Sequence, residues 1–285
     1  MTTHDLQFVP NGKIAYKFED TDIHLQGIDG LDSNAIKVLT TPLYGQDGEV
    51  FIGSNQKMRI VTVDWVVRKE LTTKRRDIAR AFNPNLGQGV LIYENDGAKY
   101  KINAITALKP KATKKLVYNQ IKAEYNMSFL CPKPDWLDYT ATQLKLEAFI
   151  GGLTFPITFP ITFAALGEGG EIDYVGDNPA SVLIDIRGSV PDAVDPIITN
   201  STTGEAITTQ NVDLGTDEKL LIDTNPDAPS VKLVSAAGIE TDAWDKIVSG
   251  SVFWQLEYGL NEIAFSSTSG SPELYITYNN HYSGL

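Results

Sequence analysis

The sequence has little of what several protein classes require. Its one cysteine among 285 residues excludes a disulfide framework and any cysteine-rich zinc module. No apolar run approaches the roughly 18–20 residues that a membrane-spanning helix needs. The first residues, MTTHDLQFVPNGK, lack the basic and apolar regions of a signal peptide. We therefore expect cytoplasmic synthesis and no membrane association.

Motifs for catalysis are also lacking. None of the three histidines, His4, His24 and His281, accompanies a recognisable nucleophile, and the patterns G-x-S-x-G, H-E-x-x-H, C-x-x-C and the P-loop do not occur. The aspartate pairs at 173/177 and 223/227 match no EF-hand loop, and aspartates in turns normally cap their own backbone. We expect no enzymatic activity, no metal site and no cofactor.

Basic residues are scarce in one half of the chain. The whole chain has 24 Lys+Arg against 36 Asp+Glu, a net charge of −12, which disfavours general binding of nucleic acid. Residues 1–139 contain 19 basic and 16 acidic residues, a net +3, whereas residues 140–285 contain 5 and 20, a net −15. This shift in composition indicates a domain boundary near residue 139.

Alternating patterns predict strands in the first half. Val61, Val63, Trp65 and Val67 share one face of residues 58–68, and the apolar residues of Gln120–Cys131 share one face of a second strand. Asn95-Asp96-Gly97 lies between two further runs and predicts a hairpin turn. Cys131 is on the apolar face, so we interpret it as a buried small side chain and not as a nucleophile.

One segment, TTKRRDIARAFNP, predicts a helix. Thr72 or Thr73 is expected to cap its start, Ile78 and Phe82 lie four residues apart on one face, and Asn83-Pro84 ends it. The opposite face is basic and consists of Lys74, Arg75, Arg76 and Arg80. Such a face is either simply solvated or contacts carboxylates of a partner subunit.

The segment FPITFPITF places five apolar side chains on one face and two prolines on the other. Proline removes a backbone donor, so such a strand lies at a sheet edge or forms an extended connector. Two interpretations remain open, packing between domains or subunits and an ordinary edge strand. The apolar set is Phe155, Ile157, Phe159, Ile161 and Phe163.

From residue 181 onward, seven short strand patterns alternate with turn residues, which predicts a β-sandwich of roughly jelly-roll type. Trp244, Trp254 and several tyrosines in this half would suit a sugar-stacking platform. Burial in the core or at an interface is the favoured interpretation, because most large aromatic residues in sandwiches are buried.

Four local patterns together resemble the distal tail protein (Dit) family of long-tailed phages, especially those that infect Gram-positive bacteria. They are RRDIARAFNPNLGQGVLIYENDGAKYKI, MSFLCPKPDWLD, the Phe-Pro repeat, and YGLNEI followed by LYITYNNHY. Their order and spacing cover nearly the whole chain. The residues that carry the resemblance as structural positions are Phe82, Gly87, Phe129, Cys131, Trp136, Gly259 and Asn261.

The resemblance implies a mainly β fold in two domains. Residues 1–139 would form a ring-forming belt domain, a β-sandwich or split barrel with one short helix. Residues 140–165 would be a Phe/Pro-rich connector, and residues 166–285 a galectin-like β-sandwich with little room for an additional module.

The function implied by the resemblance is that of a non-enzymatic hub of the tail tip or baseplate. Such a hub forms a homohexameric ring with a channel for DNA ejection, contacts a tail-tube or adaptor protein above and a tail-associated lysin or tail-tip protein below, and often carries receptor-binding proteins at its side. DNA would be present only in transit. The protein would reside in the virion after assembly in the host cytoplasm. The alternative is a carbohydrate-binding module that contacts host cell-wall glycan through the C-terminal domain.

Overall fold

A computed structural model describes residues 4–32, 34–113, 122–146 and 168–285 of the chain. It divides the chain into two units, Met1–Tyr139 together with His281–Leu285, and Thr140–Asn280. Within the described residues the fold is mainly β, as predicted, and its α-helix of 11 residues is too short and too polar to cross a membrane.

The first unit contains most of the long strands and the helix. Its elements are β1 Asp5–Val9, β2 Tyr16–Lys17, β3 Ile23–Asp29, β4 Ile36–Pro42, β5 Glu49–Gln56, β6 Arg59–Val67, α1 Leu71–Ala81, a 3-10 turn Pro84–Leu86, β7 Gln88–Asn95, β8 Ala98–Thr106, β9 Lys111–Thr113, β10 Ala123–Cys131 and β11 Trp136–Asp138.

The two strands with the clearest alternation pair with each other in the middle of this unit. β6 and β10 are antiparallel over nine residue pairs, from Ala123 opposite Val67 to Cys131 opposite Arg59. The apolar set of each strand is buried, and the polar residues between them face outward. The predicted strands are therefore confirmed here, although the first residues of the predicted Gln120–Cys131 run lie outside the described residues.

The predicted hairpin is also confirmed. β7 and β8 pair from Gln88 opposite Ile105 to Asn95 opposite Ala98, which leaves a two-residue turn. Asp96 and Gly97 both have positive φ, 48° and 85°, as a type I′ turn requires.

The main sheet of the first unit closes around one aromatic core. Its strand order is β2-β1-β7-β8-β10-β6-β3, so β2 and β6 are far apart along the sheet. Nevertheless Trp65 of β6 contacts Phe18, which follows β2, with ring centroids 5.0 Å apart. Because distant strands meet through their side chains, the sheet encloses its core in the manner of a split barrel.

The helix α1 begins differently from the prediction. It starts at Leu71, and its N-cap residue is Glu70, in the left-handed region at φ 52° with no side-chain hydrogen bond. The expected cap by Thr72 or Thr73 was wrong, because both residues already lie inside the first turn. The predicted end is confirmed in substance, since α1 stops at Ala81 and Asn83 caps the 3-10 turn by accepting a hydrogen bond from the N–H of Asn85, at 3.2 Å.

The second unit is built from two large antiparallel sheets and one short pair, β15 (Ala193–Val194) with β18 (Asp213–Leu214). Its strands are β12 Thr142–Leu146, β13 Glu168–Tyr174, β14 Val182–Arg187, β15 Ala193–Val194, β16 Ile197–Asn200, β17 Glu205–Thr208, β18 Asp213–Leu214, β19 Lys219–Asp223, β20 Ser230–Val234, β21 Glu240–Asp242, β22 Gly259–Ser266 and β23 Glu273–Tyr278, with a 3-10 turn at Trp244–Lys246. One sheet has the order β12-β23-β14-β19-β20-β21 and the other β13-β22-β16-β17. Both contribute to a single buried cluster, so the predicted β-sandwich is confirmed.

Two segments depart from the predicted division of the chain. β12 pairs with β23 inside the second unit, whereas the expected connector began at residue 140. After β23 the chain returns to the first unit, where β24, His281–Tyr282, pairs with β11. The backbone pairing of β12 and of β24 determines the unit to which each strand belongs. In both cases the paired strand is far away in the sequence. The Phe-Pro segment lies outside the described residues.

Candidate interaction surfaces

The hairpin of β4 and β5 is exposed on both faces. Among the residues that the structure describes, its strands pair only with each other, from Ile36 opposite Gln56 to Pro42 opposite Glu49, with a bulge after Leu39. Every residue in them is exposed except Leu39 and Gly53, which are half-buried. Phe51 and Ile52 are 64% and 65% exposed. An isolated two-stranded hairpin is marginal in water, so these side chains indicate a surface that another molecule covers.

The tip of this hairpin is aromatic and acidic. Residues 43–49 read LYGQDGE and contain two carboxylates and no basic residue. Tyr44 is fully exposed, and Asp47 is exposed as well. Glu49 accepts a hydrogen bond from the hydroxyl of Thr40, which fixes the base of the tip.

A groove of about 610 Å³ lies between α1 and the loop that precedes β2. Residues 13–16 line one side, and Asp77, Arg80 and Ala81 line the other. Ile14, at the rim, is 91% exposed. Lys13 and Arg80 give the groove two basic groups against the single carboxylate of Asp77, so its lining combines apolar surface with a net positive charge.

The four residues of the predicted basic face of α1 differ in exposure. Arg75, Arg76 and Arg80 are exposed, and Arg80 contacts Asp77 loosely at 3.5 Å. Lys74 is more buried and lies 3.9 Å from Asp20 of the loop before β3. Within the described part of the chain, Arg75 and Arg76 have no ion pair. Three of the four predicted residues therefore present their charge to solvent, and Arg80 also lines the groove.

Phe82 fixes the position of the helix and its groove. It immediately follows α1 and is fully buried. Five aromatic rings surround it with centroids within 6.0 Å, those of Phe8, Tyr16, Phe18, Trp65 and Phe129. Ring pairs at such distances add stabilisation beyond simple burial. Phe82 and Phe129 are thus anchors for the surface above them.

Arg59, at the start of β6, is a fully buried arginine that joins separated segments of the first unit. Its Nε donates to the carbonyl oxygen of Pro134 at 2.6 Å, and its Nη1 to the carbonyls of Gly30 and Leu31 at 2.8 and 2.9 Å. Its Nη2 donates to the carbonyl of Ser283 near the C-terminus. Burial lowers the pKa of Arg59. The guanidinium fork thereby holds two loops and the last residues together.

Two of the predicted signature residues lie close to this arginine. Cys131 is paired with Arg59 across β6 and β10, and burial raises the pKa of its thiol to about 12. At neutral pH the thiol is protonated and inaccessible, as interpreted from the sequence. Trp136, also buried, begins β11 and pairs with Tyr282 of β24.

The remaining signature residues shape turns. Gly87 and Gly259 have φ values of 76° and 92°, which side chains with a Cβ rarely adopt. Asn261 is buried, accepts a hydrogen bond from the N–H of Glu257 at 3.0 Å and donates to the carbonyls of Glu257 and Gly259 at 2.7 and 3.0 Å. These positions determine where β7 and β22 begin.

The two tryptophans of the second unit differ in exposure. Trp254 is buried, whereas Trp244 is 41% exposed and packs against Phe253 with ring centroids 5.3 Å apart. The described residues contain no cluster of three or more His, Cys, Asp or Glu suited to a metal ion. The Oδ1 of Asp223 instead accepts a hydrogen bond from the N–H of Asn225, an ordinary turn contact.

The first unit matches a known family in sequence. Residues 16–131 match the phage tail protein RIFT-related domain. This part of the chain is similar to the RIFT-related domain of phage tail proteins. The match includes the exposed hairpin, the basic helix and most of the aromatic core. No curated protein sequence matches the chain.

Solved structures resemble the chain over nearly its whole length. The Dit protein of phage SPP1, described as a paradigm of the hub of the adsorption apparatus in phages infecting Gram-positive bacteria, has a TM-score of 0.71 at 12% identity and covers 98% of this chain and 99% of its own. Chains of the phage P2 baseplate, in its activated conformation with calcium or strontium, have a TM-score of 0.57 at 10% identity and cover 99% of this chain. The predicted resemblance to the distal tail protein family is thereby confirmed at the level of the fold, which is shared beyond the residues that match the RIFT-related domain.

The hairpin, the groove and Arg59 were not predicted from the sequence. A signal for the hairpin was present, because two short runs rich in β-branched and other apolar residues, 36–41 and 50–52, surround a turn with two glycines. Arg59 carried no such signal, since its carbonyl partners come from loops that only the tertiary fold brings together.

Proposed function

We propose that this protein is a structural hub of a phage tail tip or baseplate, which assembles into a homohexameric ring. The observation that carries the proposal is the two-sided exposure of the β4–β5 hairpin in a RIFT-related phage tail domain. A ring of identical subunits covers such surfaces through one repeated contact and closes without forming fibres. The protein acts without catalysis, as a virion component assembled in the host cytoplasm.

The ring would connect proteins on its two sides. Its neighbours are a tail-tube or adaptor protein, a tail-associated lysin or tail-tip protein, and a receptor-binding protein. Its channel passes DNA during ejection without holding it. The near-neutral charge of residues 1–139 supports this arrangement, because a strongly basic lining would retain phosphate groups and slow transit.

The second unit would form lobes at the periphery of the ring. Its surface carries most of the acidic charge of the chain, which keeps neighbouring lobes apart and the assembly soluble. It stays a prediction that the second unit is galectin-like. The alternative function, carbohydrate binding to host cell-wall glycan, also stays a prediction. Trp254 is buried, in agreement with the favoured interpretation, whereas Trp244 is 41% exposed.

Mass measurement of the purified protein together with negative-stain microscopy tests the proposal. The expected result is a particle of about six times 31.3 kDa with a central opening and six peripheral lobes. A monomer at every concentration, also when mixed with the tail proteins encoded beside it, would contradict the ring.

A further inference from the structure

We propose that the tip of the β4–β5 hairpin of one subunit inserts into the groove between α1 and the loop before β2 of the next subunit. This inference rests on the proposed ring and names the two surfaces that form its repeated contact. The occupant of the groove is therefore a second copy of this chain.

The first argument is complementary chemistry. The tip offers Tyr44 as a fully exposed aromatic ring and two carboxylates, Asp47 and Glu49. The groove offers apolar surface from Ile14 and Ala81 and basic groups from Lys13 and Arg80. Its one carboxylate, Asp77, lies 3.5 Å from Arg80 and leaves the lining with a net positive charge. An amphipathic tyrosine surrounded by carboxylates suits an apolar groove with a basic rim, because both the ring and the charges find partners there.

The second argument is that both surfaces are incomplete in the isolated chain. Tyr44 contacts nothing that reduces its exposure, and Ile14 is 91% exposed beside an open groove. Isolated exposed apolar residues are common, but a projecting hairpin with exposed apolar residues on both strands is a typical interaction element. The tip of a chain does not fill its own groove, so the occupant comes from another molecule.

The third argument is symmetry. The tip and the groove are different surfaces of the same unit, so a contact between them is heterologous and not two-fold. A heterologous contact repeated around an axis forms a ring when its rotation closes. Tip-to-groove docking thus provides the kind of contact that a six-fold ring needs, whereas tip-to-tip docking would end at a dimer.

The fourth argument is stability of the recipient site. The groove wall on α1 is anchored through Phe82 in the aromatic core, and its other wall ends at the buried Tyr16. The ring centroids of these two residues are 4.9 Å apart. The walls are therefore fixed before binding, which limits the entropy lost on association.

Disulfide trapping in the full-length protein tests the contact. The variant Tyr44→Cys with Ile14→Cys in one chain should, on mild oxidation, produce a ladder of covalent species from dimer to hexamer. The buried native Cys131 does not interfere, because its side chain is fully enclosed. Mixing the two single variants should give covalent dimers only, and a bismaleimide linker of about 10 Å repeats the test without the strict geometry of a disulfide.

A matched control replaces the groove cysteine by Ile239→Cys, at an exposed isoleucine of the second unit, and should give at least tenfold less cross-linked product. A six-fold particle without the ladder would overturn the docking while leaving the ring intact. Covalent dimers from Tyr44→Cys alone would show tip-to-tip contact and would also overturn it. A protein that stays monomeric and does not cross-link would contradict both proposals.

Discussion

The β4–β5 hairpin and the sandwich of the second unit place their apolar side chains in opposite ways. In the sandwich, alternate residues of both sheets point into one sealed cluster, with Ile184, Leu220 and Ile276 fully buried. In the hairpin, apolar residues of both strands face solvent, and no other described strand pairs with either edge. Apolar residues are thus buried in the core of the sandwich and exposed on the surface of the hairpin.

Charge reinforces this contrast. The first 139 residues have a net charge of +3 and the remainder −15, so repulsion between copies is weak for the first unit and strong for the second. In the proposed ring, the first unit provides the contacts for assembly and the second unit provides solubility. Four predictions test this division, beginning with the largest expected effect.

The first prediction concerns the buried fork that keeps the first unit intact. Arg59→Met removes the guanidinium that donates to the carbonyls of Gly30, Leu31, Pro134 and Ser283. It should reduce the free energy of unfolding of the first unit by about 3–5 kcal/mol. Denaturant unfolding followed by fluorescence of the buried Trp65 and Trp136 measures this loss.

Arg59→Lys should recover only part of this stability, because an ammonium lacks the fork that reaches several carbonyls. The exposed Arg68→Met is the matched control and should have little effect. An unchanged unfolding midpoint for Arg59→Met would contradict the role assigned to this residue.

The second prediction concerns the hairpin surface. Phe51→Ser with Ile52→Ser removes two exposed apolar groups, so the subunit should fold normally while assembly weakens by roughly 10- to 100-fold, about 1.4–2.7 kcal/mol per contact. Sedimentation over a range of concentrations measures the change. Ile239→Ser in the second unit is the control and should assemble normally; equal weakening by both variants would show that the hairpin has no special part.

The third prediction concerns the basic helix. Arg75→Glu with Arg76→Glu should impair assembly by about tenfold at low salt, and the difference from the parent protein should shrink as ionic strength rises. The control is Lys109→Glu with Lys111→Glu, an equal change of charge elsewhere on the first unit. Normal assembly of the helix variant would indicate that its basic face is merely solvated.

The fourth and smallest effect concerns the acidic sandwich. Glu171 of β13 lies directly opposite Glu262 of β22, and both are exposed. Like charges in this position repel, so Glu171→Lys should raise the free energy of unfolding of the second unit by about 0.5 kcal/mol without changing assembly. Thermal unfolding measures the gain, and Glu171→Gln should give a smaller one; a loss of stability in Glu171→Lys would show that the repulsion is already relieved.

Sequence patterns predicted those parts of the fold in which one strand or helix determines its own burial. The alternation of Val61, Val63 and Trp65 fixed the buried face of β6, and Asp96-Gly97 predicted a turn because few residues tolerate its backbone angles. The helix α1 was found from the spacing of Ile78 and Phe82.

Features that depend on distant segments were not predictable in the same way. Nothing in the local sequence shows that β24 returns to β11, because the pairing residues, Trp136 and Tyr282, are separated by the entire second unit. The predicted helix cap was wrong by position. Glu70 adopts a left-handed conformation where the connection from β6 ends, and α1 begins at Leu71, so Thr72 and Thr73 already lie inside the first turn.

Hydrogen–deuterium exchange of the full-length protein, below and above the concentration at which it assembles, tests whether subunits contact each other through the hairpin and α1. We expect the backbone amides of residues 36–56 and of α1 to exchange more slowly on assembly, while exchange in the strands of the second unit stays unchanged. Protection confined to residues 168–280, with the hairpin exchanging equally fast in both states, would contradict this expectation.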